Sequence, residues 1–266
     1  TTGFTSGIAV VIFTTQVKDF LGLSIDKMPS GFIAMWQIFI SNIGAINYHA
    51  LIIAIISLIV ILFWPRITTK IPGSLIAIIG ASLAVYMLNI PVETIGSRFG
   101  EISSSLPSPS LPVVTLERIE QLLMPSITIA LLAGIESLLS AVVSDGMIGG
   151  THRPNAELIA QGVANIASGI FGGIPATGAI ARTAANVKNG GKSPIASIVH
   201  SVFLLFSMLI FLPYVKLIPM SVLGAILVVV SYNMGEWHEL RKITKAPKSD
   251  ITVYMVTFIL TIILDL

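Results

Sequence analysis

The stretch GGIPATGAIARTAANVKNGGK, Gly172 to Lys192, decides how the rest of the chain is read. Long apolar segments flank it, yet its own residues rule out an ordinary spanning helix. Gly172, Gly173 and Pro175 crowd one end, Gly190 and Gly191 the other, and Arg182 stands near the middle. The small residues Ala176, Thr177, Gly178 and Ala179 lead into a short helical pattern over Thr183–Val187. Extended backbone followed by a half-helix is the pattern of a broken transmembrane helix, its N-terminus aimed at the bilayer midplane. Irregular backbone at that depth persists only where protein buries it or where it lines a cavity. In secondary transporters it marks the binding site.

Composition makes the bilayer the expected solvent. Of 266 residues 54% are apolar and 11% charged, with a mean hydropathy of +0.92. Soluble domains carry about 25% charge. The absence of cysteine excludes a disulfide framework, a thiolate metal site and a cysteine nucleophile. A net charge of +2, confined to loops, argues against nucleic acid as a partner. The chain opens TTGFTSG without a Met or a basic n-region and ends TIILDL inside an apolar run. It reads as a fragment of a larger membrane protein.

Working outward, apolar runs that approach the roughly 20 residues a spanning helix needs lie at Thr2–Phe20, Ala45–Trp64, Ile71–Ile90, Met124–Met147, Ala156–Phe171, Ser193–Tyr214, Leu217–Met234 and Ile251–Leu266. Pro29–Ile43 is shorter and amphipathic, an interfacial helix anchored by Trp36 and Phe39. Pro91–Gln121 is a polar loop with Glu93, Glu101, Glu117 and Glu120 against Arg98 and Arg118. In Ala156–Phe171, Gln161 and Asn165 stand one turn apart, and Gly169 and Gly173 have small-xxx-small spacing. Such a helix packs against protein rather than lipid.

Charge supplies an independent test. The basic loops Arg66/Lys70, Lys188/Lys192 and Arg241–Lys248 should share the cytoplasmic side. An even number of crossings must then separate each loop from the next. The count closes only if Gly172–Lys192 traverses the membrane, which leaves the acidic Pro91–Gln121 loop outside.

The groups that can carry chemistry are few. Glu136 lies near the centre of Met124–Met147. Placing a charged side chain there costs about 2.5–3.5 kcal/mol on insertion scales, so such residues face the bundle interior and serve ion or proton pathways. Glu136 is therefore a candidate protonatable switch, and Ser140, one turn on, can share a ligand with it. Arg182 can draw an anion toward the half-helix, where free N–H groups and the helix dipole act on it. Gly178, Ala179 and Ile180 let an anion approach main-chain donors.

Structural alternatives stand beside these readings. Glu136 and Arg182 can be counter-ions, and the small residues can serve a close helix crossing. Asp145, His152, Arg153 and Glu157 read as a solvated or salt-bridged helix end, and His200 as a packing group. No spacing resembles a metal site. Gly191–Ser193 is no phosphate loop, since Asn186 stands where its first glycine belongs. No catalytic residues are assigned.

With these residues in hand, the chain resembles the SulP (sulfate permease) family of anion transporters. The matching blocks are GFTSGIAVVIFTTQ (Gly3–Gln16), LLAGIESLLSAVVSDGM (Leu131–Met147), the run Thr151–Ser201, and YNMGEWHEL (Tyr232–Leu240). The likeness covers essentially the whole chain. It implies an all-α polytopic membrane protein, part of a 7+7 inverted-repeat transporter fold with core and gate domains. One broken helix is entered through a short extended segment.

By that match residues 1–90 are gate helices of the first repeat (spans five to seven) and 91–121 an extracellular loop. Residues 122–214 are core helices of the second repeat (spans eight to eleven), and 215–266 part of its gate (spans twelve to thirteen). The first core half and a cytoplasmic STAS domain fall outside. In the family the anion sits between the half-helices of spans three and ten. Similar sodium-linked bicarbonate members have Asp at the place of Glu136, Thr at Ser140 and Thr at Ile180. The apolar Ile180 removes an oxygen from any sodium cage.

The expectation is a secondary active transporter of small anions, sulfate-type with proton coupling, working by movement of core against gate. Substrate contacts are Gly178, Ala179, Ile180 and Arg182; the coupling ion engages Glu136 and Ser140. No cofactor is expected beyond a coupling ion, H+ before Na+. Expected partners are the anion, the lipid bilayer and, in the full-length protein, a second copy; nucleic acid is not one. The expected location is a bacterial inner membrane with basic loops cytoplasmic. A sodium-linked bicarbonate or a C4-dicarboxylate transporter is the alternative, and from another class an anion channel or voltage-responsive membrane motor. An enzyme would need a facing pair of catalytic groups, and the spans offer only Glu136 and Arg182.

Overall fold

A computed structural model describes residues 2–25, 27–100, 108–235, 237 and 247–264. Residues 241–246 of the basic loop Arg241–Lys248 lie outside the described residues, as do Glu101, Glu236 and His238, and Lys248 is described by its backbone alone. In chain order the helices are α1 (Thr2–Leu21), α2 (Phe32–Ser41), α3 (Tyr48–Phe63), α4 (Gly73–Leu88), α5 (Ile95–Phe99) and α6 (Leu116–Ile148). They continue with α7 (Pro154–Ile170), α8 (Ile180–Lys188), α9 (Ile195–Val215), α10 (Met220–Met234) and α11 (Lys248–Leu264). Among the described residues the only strand-like pairing is a bridge between Thr94 and Pro219.

Three helical stretches among the described residues are long and apolar enough to cross a membrane: Tyr48–Arg66, Leu116–Ile148 and Ile195–Val215. The expected span Thr2–Phe20 folds as α1, with its small and polar residues Gly3, Ser6, Gly7 and Thr14 buried. Gly3 and Gly7 form its contact with α11. A Cβ at Gly3 would stand 2.7 Å from Tyr254 O, and one at Gly7 2.7 Å from Thr261 Cβ. Small residues one turn apart allow such close helix approach in membranes. Ser6, fully buried, donates to Gly235 O at 3.0 Å.

The chain divides into two compact units, residues 1–102 with 211–266, and residues 103–210. In the first, α1 packs on α10, α11, α3 and α2, and α3 packs on α4 and α10. Its core joins Ile53, Ala77, Val85 and the fully buried Val222. A second cluster, Leu23, Met35 and Phe39, with Val17 and Leu21 packed on it, seats α2 against the end of α1, and within α2 Trp36 and Phe39 pair edge to face. In the second unit α6 carries both α7 and α8.

Two of the boundaries that differ from the sequence expectation bear on the second unit. The helix expected at Met124 begins at Leu116 and has 33 residues. Thr115 Oγ1 caps it by accepting from Arg118 N at 3.3 Å, and Leu116–Gln121 are strong helix formers. Pro125 sits inside the helix without ending it. The half-helix expected over Thr183–Val187 begins at Ile180, directly after the small-residue run.

The start of the long polar loop is also ordered. Thr94 and Ser97 form a capping box on α5. Ile95 N donates to Ile218 O at 2.9 Å, and Met220 N donates to Glu93 O at 2.9 Å. Arg98 Nε donates to Glu93 Oε1 at 2.9 Å, and its Nη2 to Asp19 Oδ1 at 2.6 Å, tying α5 to the end of α1. Asp19, Glu93 and Arg98, with Lys18, Asn47 and Ser221, line a polar cavity of 460 Å³.

Two outcomes follow. Gly7→Ile should push α1 off α11 and cost about 1–3 kcal/mol, read as a lower melting temperature in detergent. The hydrogen bond from Arg98, aided by its charge, holds the Glu93 carboxyl below its ordinary value of 4.5 despite partial burial. A depressed folded-state pKa adds stability that is complete above pH 4.5 and lost as pH falls through the lower folded value. Below pH 4.5 the parent should therefore lose melting temperature more steeply than Glu93→Gln.

Candidate functional site

The second unit holds the broken segment, and α7 prepares its place. Pro154 at the first turn starts the helix, and the helical repeat brings Gln161, Asn165 and Ser168 onto the side facing the extended chain. Ala176 N donates to Asn165 Oδ1 at 2.8 Å, while Asn165 Nδ2 donates to Ala176 O at 2.9 Å. One amide side chain thus replaces a neighbouring strand. Gln161 Nε2 also donates to Ala176 O, and Ser168 Oγ donates to Ile174 O at 3.0 Å. On the other side Thr177 Oγ1 donates to Ala133 O of α6 at 2.8 Å. A space of 400 Å³ between α6, α7 and the extended chain is lined by Ala130, Gly134, Gln161, Asn165, Gly173 and Pro175.

The chain then meets α6 at close quarters. A Cβ on Gly178 would stand 3.3 Å from Ser137 Cα and 3.4 Å from Ser140 Cβ. Ser137 and Ser140 are both buried. Ser140 Oγ and Thr183 Oγ1 share a hydrogen bond of 2.7 Å, which pins the first turn of α8 to α6. Ala179 is extended (φ −120°, ψ 109°), and no side chain caps the helix. The first main-chain N–H groups of α8 therefore meet no capping oxygen. Such a helix start presents donors and a positive dipole end to an anion.

The predicted residues do not all converge. Gly178 lies against Ser140, and Ala179 and Ile180 follow it as the cap and first residue of α8. Glu136 and Arg182 are exposed on α6 and α8, and neither forms an ion pair among the described residues. The counter-ion reading of this pair is not what the structure shows. Ser140 directs its hydroxyl to Thr183, not to Glu136.

Other contacts were not assigned from the sequence. Ser137 Oγ donates to Glu157 Oε1 at 2.7 Å, so Glu157 reaches the Gly178 contact instead of the solvated helix end. Asp145 and His152 do pair at that end: Asp145 Oδ2 accepts from His152 N at 2.8 Å and lies 2.7 Å from Nδ1. Ser137 and Ser140, three residues apart, are a signal for a shared polar helix face. Thr183 and Glu157 carry no such local signal. Among the described residues no group of three or more potential ligands could hold a metal ion.

Asn165→Ala should leave Ala176 N–H unpaired and cost about 1–3 kcal/mol of stability. Gln161→Ala leaves both Ala176 bonds to Asn165 in place and should cost less than about 1 kcal/mol. Melting temperatures of the two variants in detergent check the order.

Comparison with known proteins agrees with this architecture. The model of the sulfate permease family matches residues 1–257. The chain is 42% identical over 266 residues to YvdB of Bacillus subtilis (strain 168), a protein named as a sulfate transporter, covering 99% of this chain and 50% of that relative. It superposes on the transmembrane domain of a cyanobacterium bicarbonate transporter, BicA, with a TM-score of 0.84 and 26% identity, over 98% of this chain and 65% of that one. The overall structure of SLC26A9 shares the fold, with a TM-score of 0.86 at 23% identity over 98% of this chain and 42% of that one. The chain spans about half the length of the curated relatives it matches. It is an all-helical, integral membrane chain, and it belongs to the sulfate permease family, a family of transporters rather than enzymes.

Proposed function

We propose that the protein containing this chain is a secondary active transporter of small anions, sulfate first, coupled to protons. The observation that carries the reading is the uncapped start of α8, reached through an extended segment that α7 side chains bond at Ala176 and Ile174 and that Thr177 ties to Ala133 O of α6. Donors not used by the fold remain for a ligand. The anion is held at Gly178, Ala179 and Ile180. Arg182, in the same first turn and free of ion pairs among the described residues, draws it in by charge. Glu136 carries the coupling proton, and its neutral form lowers the cost of moving the site across the bilayer. Ser140 links that helix to α8 through Thr183. Transport proceeds by the core, residues 122–214, moving against the gate helices.

YvdB, named as a sulfate transporter, supports sulfate as the first substrate. The likeness to BicA favours bicarbonate as the second reading; Ile180, which offers no side-chain oxygen, weighs against sodium as its coupling ion. The same proposal places the protein in a bacterial inner membrane as a homodimer. Its basic loops face the cytoplasm, as charge bias across membranes requires.

Uptake of radiolabelled sulfate, bicarbonate and succinate by the full-length protein in proteoliposomes, with and without sodium and a pH gradient, tests the reading. An inward proton gradient should stimulate sulfate uptake, and Glu136→Gln should abolish that stimulation. Arg182→Ala should raise the anion KM about tenfold, the loss expected of a charge-assisted contact. Current without substrate-dependent countertransport would make it a channel instead.

A further inference from the structure

We infer that Glu157 is a positioning residue of the anion site, acting by holding the Ser137 hydroxyl away from the carbonyl that anchors Thr177. The inference rests on the anion site proposed above. A serine inside a helix ordinarily donates back to the carbonyl four residues earlier. For Ser137 that carbonyl is Ala133 O, and it accepts Thr177 Oγ1 at 2.8 Å. Ser137 donates instead to Glu157 Oε1 at 2.7 Å.

The geometry gives that choice a consequence. Thr177 precedes Gly178, and Gly178 packs so closely on Ser137 that a Cβ there would lie 3.3 Å from Ser137 Cα and 3.6 Å from its Oγ. Ser137 is 2% exposed, so its hydroxyl has no bulk water to turn to. Besides the Glu157 carboxylate that it bonds, the acceptor one helical turn back is Ala133 O. Without the carboxylate, the Ser137 proton turns to Ala133 O and competes with Thr177 for it. The extended chain then loses its tie to α6 immediately before the α8 start.

α7 is positioned to supply the carboxylate. Glu157 lies in its first turn, and the next residue, Leu158, packs on Gly134 of α6, where a Cβ would be 3.3 Å from Leu158 Cδ2. A charged acceptor also forms a stronger hydrogen bond than a neutral one, which biases Ser137 away from its own helix.

The test is a suppression experiment in the full-length protein, using whichever of radiolabelled sulfate, bicarbonate and succinate the parent takes up best. Glu157→Ala should raise the anion KM about fivefold while Vmax changes less than about twofold, the split expected when binding rather than turnover is lost. Thr177→Val should do the same. Ser137→Ala removes the competing hydroxyl and should leave KM near the parent value. Ser137→Ala combined with Glu157→Ala should bring KM back to within about twofold of the parent, a strong non-additivity between neighbours. Glu157→Gln keeps an oxygen acceptor and should resemble the parent.

A double variant as impaired as Glu157→Ala alone overturns the inference. So does an unchanged KM in Glu157→Ala while Arg182→Ala raises it. If Glu157→Ala fails to reach the membrane, Ser137→Ala must restore its level, and failure to do so is equally fatal. If Arg182→Ala also leaves KM unchanged, the anion site itself is wrong and the inference falls with it.

Discussion

A main-chain N–H or C=O in hydrocarbon has no water to bond, and leaving it unpaired costs several kcal/mol. The segment entering α8 is extended, so it cannot meet that demand within itself. Asn165 meets it at Ala176 with a donor and an acceptor together and Ser168 meets it at Ile174 O, while the Thr177 hydroxyl ties the segment to Ala133 O of α6. The polar residues of α7 are thus structural requirements of a broken helix. They bond Ile174 and Ala176, and the first turn of α8 is left without a side-chain cap.

Close approach is the second constraint, and glycine sets it. Gly178 lets the backbone lie against Ser137 and Ser140, and the hydroxyls of Ser140 and Thr183 lock the half-helix there. Gly3 and Gly7 play the same part between α1 and α11 in the other unit. Without a hydrophobic driving force between helices in lipid, such contacts rest on packing and hydrogen bonds. Small shifts in either are felt at once. That is why a carboxylate on α7 can matter to a backbone position carried by another segment.

Much of the fold was legible from residue patterns. Apolar runs located the long helices, and the glycine and proline clusters at Gly172–Pro175 and Gly190–Gly191 marked the break. The residues of α6 before Met124 were hidden because Ser- and Pro-rich neighbours and four acids read as a loop, whereas Thr115 caps a run of strong helix formers. Of the candidate site, the small residues Gly178 and Ala179 and the one-turn spacing of Glu136 and Ser140 were visible in the sequence. Glu157 was not. It sits among Asp145, His152 and Arg153 in sequence, and nothing local separates the pair that stays at the helix end from the carboxylate that turns inward.

By itself the sequence determined the solvent, the helical class, the broken segment and the polar residues able to support it, because these follow from hydropathy, period and backbone conformational preference. Only the tertiary structure decided which polar groups meet. Ser140 pairs with Thr183 and Ser137 with Glu157, while Glu136 and Arg182 remain without ion-pair partners among the described residues. The reason is physical: a hydrogen bond needs two atoms within about 3 Å. How α7 and α8 are set against α6 is a property of packing between distant segments, and no local pattern encodes it.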